Sequence, residues 1–280
     1  MARSLGIDVG VVKGLDVVLL DERLVPLHVS SRVQVRDVQH LIGDLRPDVI
    51  AIDSPPRWSA SGRSRLTERE LAALNISSFN TPSEAHGVGN RFFAWMEVGF
   101  EVFAQAAAAG FPVYSAGSPR GKALEVFPHA TAVVLAGCLA PKGTRKHAWR
   151  SAVLRAQGVR TDELSSPDRV DATLAALTGL YALDGKRFAP GDPREGVIVV
   201  PSASLPAAPY RPGTAVPRDA QPLFTYCACG DASCDRLVRG EFAPGHDAKR
   251  KARLWAQARE GAEALDELKS RGWKKPPEMR

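Results

Sequence analysis

No stretch of this 280-residue chain reaches the ~18 consecutive apolar residues that a membrane-spanning helix requires, so no membrane partner is expected. The opening residues, MARSLGIDVG, lack the continuous apolar centre of a secretory signal because Asp8 interrupts them. Cysteine is scarce: Cys138 stands alone, and Cys227, Cys229 and Cys234 fall within eight residues. That clustering excludes a disulfide-built secreted domain and points to metal or thiol chemistry in a cytoplasmic protein. A strong excess of one charge is also missing. Lys and Arg total 37 against 31 Asp and Glu, leaving +6, a mild basic balance that suits a polyanionic partner without requiring one. With 44% hydrophobic and 24% charged residues, the chain is neither disordered throughout nor collagen-like. Its length fits one large domain, or one domain with a small module attached.

Apolar patterning supplies the element order. Residues 4–10, 14–20 and 24–31 read as three short strands with tight connections, hence an antiparallel meander, and Pro26 places the third at an edge. Val35, Val38, Leu41, Ile42 and Leu45 recur at helical spacing until Pro47. Asp48–Asp53 follows as a strand apolar on both faces, and its approach through a helix makes it parallel to an earlier one. Thr67 with Glu70 three residues on reads as a capping box. Residues 91–109 are helical, 122–127 extended, and 146–157 and 167–183 helical again. Ser166 is the N-cap of the last helix and Pro167 its first residue. Val197–Val200 is a final short strand. Six prolines in residues 201–222 mark a semi-extended linker. This divides the chain into 1–200, the linker 201–222, and a Cys/His segment with a basic helix over 223–280.

Acidic residues recur where elements begin or end. Asp8 closes GID, Asp53 closes AID, Glu125 lies in LEVFP, and Asp168 and Asp171 open a helix in SPDRVDAT. If the first and fourth strands are neighbours, Asp8 and Asp53 meet at one edge of the sheet. Asp168 and Asp171, three apart, share a helix face. Clustered carboxylates raise one another's pKa, a conflict that Mg2+ or Mn2+ resolves. Two such ions about 4 Å apart can activate water and stabilise the leaving oxygen of a phosphodiester. Each Asp taken alone reads first as a turn or cap residue, and Asp16 and Asp21 read as turn or edge charges.

The segments GIDVGVVKG, AIDSPP, TERELAAL, FNTPSEA, LEVFPHAT and DRVDATLAALTGLYALDG, in that order, resemble the bacterial and archaeal family of predicted nucleases catalogued as domain of unknown function 429. The resemblance implies an α/β, RNase H-like fold: a mixed five-stranded sheet flanked by helices, with acidic residues converging at its centre. By motif position it implies metal carboxylates at Asp8, Asp53, Glu125 and Asp171, with Asp168 beside them. It also implies a cleft lined by Lys13, Arg65, Glu68, Lys142 and Arg145. His129 is a candidate proton shuttle. Leu15 and Asp16 depart from the family pattern, where an aromatic residue is expected after Lys13 and Gly14.

In the tail, Cys227, Cys229, Cys234 and His246 offer four ligands of the type a structural Zn2+ takes. The surrounding residues resemble a small CxCG…PGHD.K element that ends in a helix. The function expected first is a nuclease using Mg2+ or Mn2+ on nucleic acid. A non-catalytic binding scaffold of the same fold is the second reading. A phosphotransferase of the actin and sugar-kinase type, suggested by GIDVG, is the third, although about 200 residues are few for two duplicated lobes.

Overall fold

A computed structural model describes residues 1–60, 62–214, 225–226, 237–238 and 246–257. Strand β1 (Arg3–Asp8) turns into β2 (Leu15–Asp21), antiparallel, with Asp8 opposite Asp16. β3 (Pro26–Val33) continues the meander at the sheet edge, where a missing N–H at Pro26 costs no ladder bond. A 3-10 turn (Val35–Asp37) runs into α1 (Val38–Leu45), and β4 (Val49–Asp53) returns parallel to β1. Helices α2 (Leu66–Ala73), α3 (Glu84–Gly87) and α4 (Ala94–Ala108) precede β5 (Ala123–Val126), parallel to β4. Helices α5 (Pro128–Ala136), α6 (Lys146–Ala156) and α7 (Pro167–Leu183) follow. Then come β6 (Gly191–Asp192) and β7 (Gly196–Val199).

The sheet therefore has seven strands, in the order β3-β2-β1-β4-β5-β7-β6, rather than the five expected. β7 lies parallel to β5, and β6 closes the edge antiparallel to it. β6 spans only Gly191 and Asp192, so it carries no apolar run that could announce a strand. Ile7, Ile50 and Ile52 pack with Val38 and Ile42 of α1 and Val102, Phe103 and Ala106 of α4 on one face. Val49, Ala51, Leu124 and Val126 pack with Ala175 and Ala182 of α7 on the other.

Helix α7 lies unusually close to the sheet. A Cβ at Gly6 would sit 1.9 Å from the Ala172 carbonyl oxygen and 2.5 Å from the Ala176 nitrogen. A Cβ at Gly179 would lie 2.1 Å from Ser4 Oγ. Only glycine allows such backbone approach. The start of α7 is capped as expected, Ser166 Oγ accepting from the Arg169 N–H at 3.1 Å. The start of α2 is not. Its N-cap is Arg65, and the Glu68 carboxylate reaches back to the Arg65 N–H at 3.0 Å. Thr67 and Glu70 are taken instead by tertiary partners, the N–H groups of Ile198 at 3.2 Å and Gly191 at 2.8 Å.

By its internal contacts the chain divides into Met1–Gln221 and Pro222–Arg280. Within the first unit the proline-rich segment is partly pinned: Tyr210 N–H donates to Leu74, and Leu139 N–H to the Arg211 carbonyl at 2.9 Å. The second unit contains β8 (Thr225–Tyr226) paired with β9 (Leu237–Val238), and α8 (His246–Gln257). The zinc candidates Cys227, Cys229 and Cys234, and the side chain of His246, lie outside the described residues. No helix among the described residues is long and apolar enough to cross a membrane.

Because backbone atoms cannot step aside at the α7 contact, Gly6→Ala should cost about 3 kcal/mol. Gly43→Ala, on the open side of α1 with nothing within 4 Å, should instead stabilise by up to about 1 kcal/mol. Urea unfolding of the two variants measures both.

Candidate active site

Asp8 and Asp53 end neighbouring parallel strands in direct register. Side chains alternate along a strand, so Asp8, two residues past Gly6, faces the helix that Gly6 touches. That helix is α7, whose first turns carry Asp168 and Asp171. Three partly buried carboxylates, Asp8, Asp53 and Asp171, thus converge between two strand ends and one helix start. The electrostatic consequence is large. Burial, then the charges of Asp171, Asp168 and Asp16, push the Asp8 carboxyl up to about 8, against Arg150. Burial, then Asp8 and Asp171, hold Asp53 well above the usual carboxylate range. Burial also raises Asp171, opposed by the Arg150 guanidinium.

Arg150 was not legible as a site residue. It lies in KHAWRSAV of α6, which reads as an ordinary solvated helix. Its one signal is position: it follows Trp149, which is fully buried and anchors α6. Arg150 Nη1 donates to Asp171 Oδ2, while Asp171 Oδ1 and Arg150 Nε are buried without a hydrogen-bond partner. His129 packs near the Trp149 ring, 6.1 Å between centroids. Burial, then the charges of Arg150 and Lys146, push its imidazole down to about 4, so it is neutral at neutral pH.

Glu125 is placed differently from the expectation. It pairs with Ile52, one step out of phase with Asp53, and so points to the opposite face of the sheet. There Arg65 holds it in a fork, Nη1 to Oε2 at 2.7 Å and Nη2 to Oε1 at 2.5 Å. The same guanidinium donates through Nε to Glu68 Oε1 at 2.9 Å. Glu68 in turn accepts from the Thr81 N–H at 3.0 Å and the Thr81 hydroxyl at 2.5 Å. Burial raises the Glu125 carboxyl despite the pull of Arg65. Burial alone would lower the Arg65 pKa, yet its two carboxylate partners hold it above the ordinary arginine value. Arg65, Glu68 and Glu125 are each under 5% exposed and form a closed ionic unit.

Both groups border one cavity of about 410 Å³. Asp53, Asp171 and Arg150 lie on its wall, as do Arg65, Glu68 and Glu125, and Phe79, Phe92 and Trp95 line it too. Lys142 and Arg145 are exposed before α6 and are not on that wall. Lys13 is exposed and pairs with Asp168, Nζ to Oδ2 3.5 Å. Asp21 is a turn residue as expected, accepting from the N–H groups of Arg23 and Val25. Asp16 is buried rather than an edge charge; it accepts from the Ser31 hydroxyl, with Arg169 Nε at 3.9 Å.

The donor chemistry at Asp8, Asp53 and Asp171 suits a hard, oxygen-preferring cation, and the unpartnered Asp171 Oδ1 fits that role. Among the described residues, however, no three His, Cys, Asp or Glu side chains are drawn together closely enough to hold a metal ion. Glu125, committed to Arg65, does not fit the set.

Removing Arg65 leaves two buried carboxylates without their cation, so Arg65→Met should destabilise the fold by about 3–5 kcal/mol in urea titration. The aspartates should behave oppositely. Asp8 keeps its proton in the folded chain up to about pH 8 but loses it near the ordinary carboxylate value when unfolded. Its contribution to stability is therefore present in acid and lost as pH rises through about 8. In EDTA, Asp8→Asn should gain thermal stability relative to the wild type as pH is raised from 4 to 8, read from paired melting curves.

A search of curated proteins returns no match. The Thermus thermophilus RuvC structure aligns with 65% of this chain and 96% of its own, at 18% identity and a TM-score of 0.35. A family model described as a protein of unknown function, DUF429, matches residues 6–195. That span holds Asp8, Asp53, Glu125, Arg150 and Asp171 alike, and the chain belongs to the DUF429 family.

Proposed function

We propose that this protein is a metal-dependent nuclease of RNase H-like fold, hydrolysing phosphodiester bonds with Mg2+ or Mn2+ held by Asp8, Asp53 and Asp171. One observation carries the reading: two in-register strand-end carboxylates face a third at a helix start, each held above its usual pKa. Burying like charges together without a compensating role is costly, and perturbed groups of this kind gather at functional sites. When bound, the cation would supply charge neutralisation, an activated water and stabilisation of the leaving oxygen.

The chain's own residues do the positioning. Arg150 fixes the Asp171 carboxylate and presents a guanidinium to the cavity, suited to a phosphate oxygen. Lys13 pairs with Asp168, one turn before Asp171 on α7. His129, neutral at neutral pH, adds no positive charge beside Arg150. The basic balance of the chain favours a polyanionic substrate.

The test is cleavage of single-stranded, duplex, hybrid and branched oligonucleotides with Mn2+ or Mg2+. Loss of one metal carboxylate removes several kcal/mol of transition-state stabilisation. Asp8→Asn and Asp53→Asn should therefore each slow cleavage about a hundredfold or more. Mn2+ should raise the melting temperature of the wild type but not of Asp53→Asn. Undiminished cleavage in both variants would sink the site. Absence of both cleavage and a thermal shift in the wild type would leave the scaffold reading.

A further inference from the structure

The cavity carries a feature that metal chemistry does not use. Phe79 and Phe92 are 63% and 60% exposed, although large aromatic side chains are normally withdrawn from water. They are not scattered. Their rings meet edge to face at 5.6 Å, Trp95 stands 6.1 Å from Phe79, and Phe93 stands 4.9 Å from Phe92. A contiguous exposed apolar patch of this kind marks a binding surface. Phe79, Phe92 and Trp95 also share the cavity wall with Asp53, Asp171 and Arg150. The volume, about 410 Å³, lies within the range of small-ligand sites.

We propose that Phe79, Phe92 and Trp95 form a stacking platform for an unpaired nucleobase, so that the protein engages single-stranded nucleic acid in preference to full duplex. This deepens the nuclease reading and rests on its assignment of nucleic acid as substrate. The occupant follows from what the cavity combines. Flat π faces stand beside a guanidinium suited to phosphate, and the exposed Arg91 immediately precedes Phe92. A ligand that is both aromatic and anionic matches that pairing. A base within a duplex has both faces covered by its neighbours, so only an unpaired or splayed base can offer one to a ring.

The platform is held in place. Asn90 Oδ1 accepts from the Phe92 N–H at 3.0 Å, and its carbonyl from the Phe93 N–H at 2.9 Å. On the other side, Thr81, two residues after Phe79, is clamped by Glu68, which Arg65 ties to Glu125. Arg65, Glu68 and Glu125 are thereby positioning residues for the Phe79 loop.

Binding of labelled single-stranded DNA and RNA oligomers and of a blunt duplex, followed by fluorescence anisotropy in EDTA, tests the proposal without turnover. Stacking on one ring is worth roughly a 5- to 150-fold change in affinity. The Phe79→Ala/Phe92→Ala double variant should thus bind single strands at least about tenfold more weakly, with duplex binding unchanged. The Tyr pair should bind like the wild type, and the Leu pair, apolar but without a π face, should fail like the Ala pair. A 2-aminopurine base in the strand should be quenched by the wild type and not by the Leu pair. Both rings are exposed, so unchanged melting temperatures will show that folding is intact. Wild-type-like binding by the Leu pair, equal wild-type affinity for duplex and single strand, or no binding to any oligomer each overturns the platform. The two readings separate cleanly: metal-dependent cleavage with no effect of the ring variants removes the platform alone. Ring-dependent binding without cleavage removes the nuclease alone.

Discussion

The close contact between α7 and β1 is the constraint from which the site follows. Gly6 lets the strand backbone lie against the Ala172 carbonyl, and Gly179 lets the far end of the helix settle over Ser4. With that separation set by backbone atoms at Gly6 and by the Ser4 side chain at Gly179, α7 has little freedom to lift or slide. Its first turns, bearing Asp168 and Asp171, are therefore delivered to the level where β1 and β4 end in Asp8 and Asp53. The convergence of charge is a result of packing, and the cost of crowding like charges is carried by apolar contacts elsewhere on the helix, including Ala175 and Ala182.

The sheet separates two electrostatic environments. On the α7 face, acidic groups repel one another and hold protons more tightly than usual. On the opposite face, Arg65, Glu68 and Glu125 are almost fully buried and hydrogen-bonded as a cation between two carboxylates. The first arrangement is unsatisfied by itself and suited to chemistry. The second is satisfied and suited to holding loops, because one guanidinium links β5 to the entry of α2 and, through Glu68, to the Thr81 loop.

Much of this was readable in the residues. The meander, the parallel return of β4, the positions of Asp8 and Asp53 and the capped start of α7 follow from apolar runs ending in Asp and from Ser166-Pro167. What was not readable depended on parity and on distance along the chain. Nothing local in LEVFP says whether Glu125 or Val126 shares a face with Asp53; the register between β4 and β5 decides it. Thr67 and Glu70 look like a capping box, yet β6 and β7, over 120 residues later, claim both side chains. Arg150 has no motif, since a guanidinium on a basic helix acquires meaning only when α6 is laid against α7.

The placement of Glu125 bears on how chains of this architecture can change over time. Substituting Asp8 or Asp53 removes like-charge crowding and so relieves the folded state. The Arg65 guanidinium allows no such drift, because losing it strands two carboxylates in the interior. A descendant relieved of that crowding would be recognisable as one that kept Arg65, Glu68 and Glu125 while Asp8 and Asp53 varied. Folding alone therefore favours keeping the ionic unit, whereas it does not favour keeping Asp8 and Asp53.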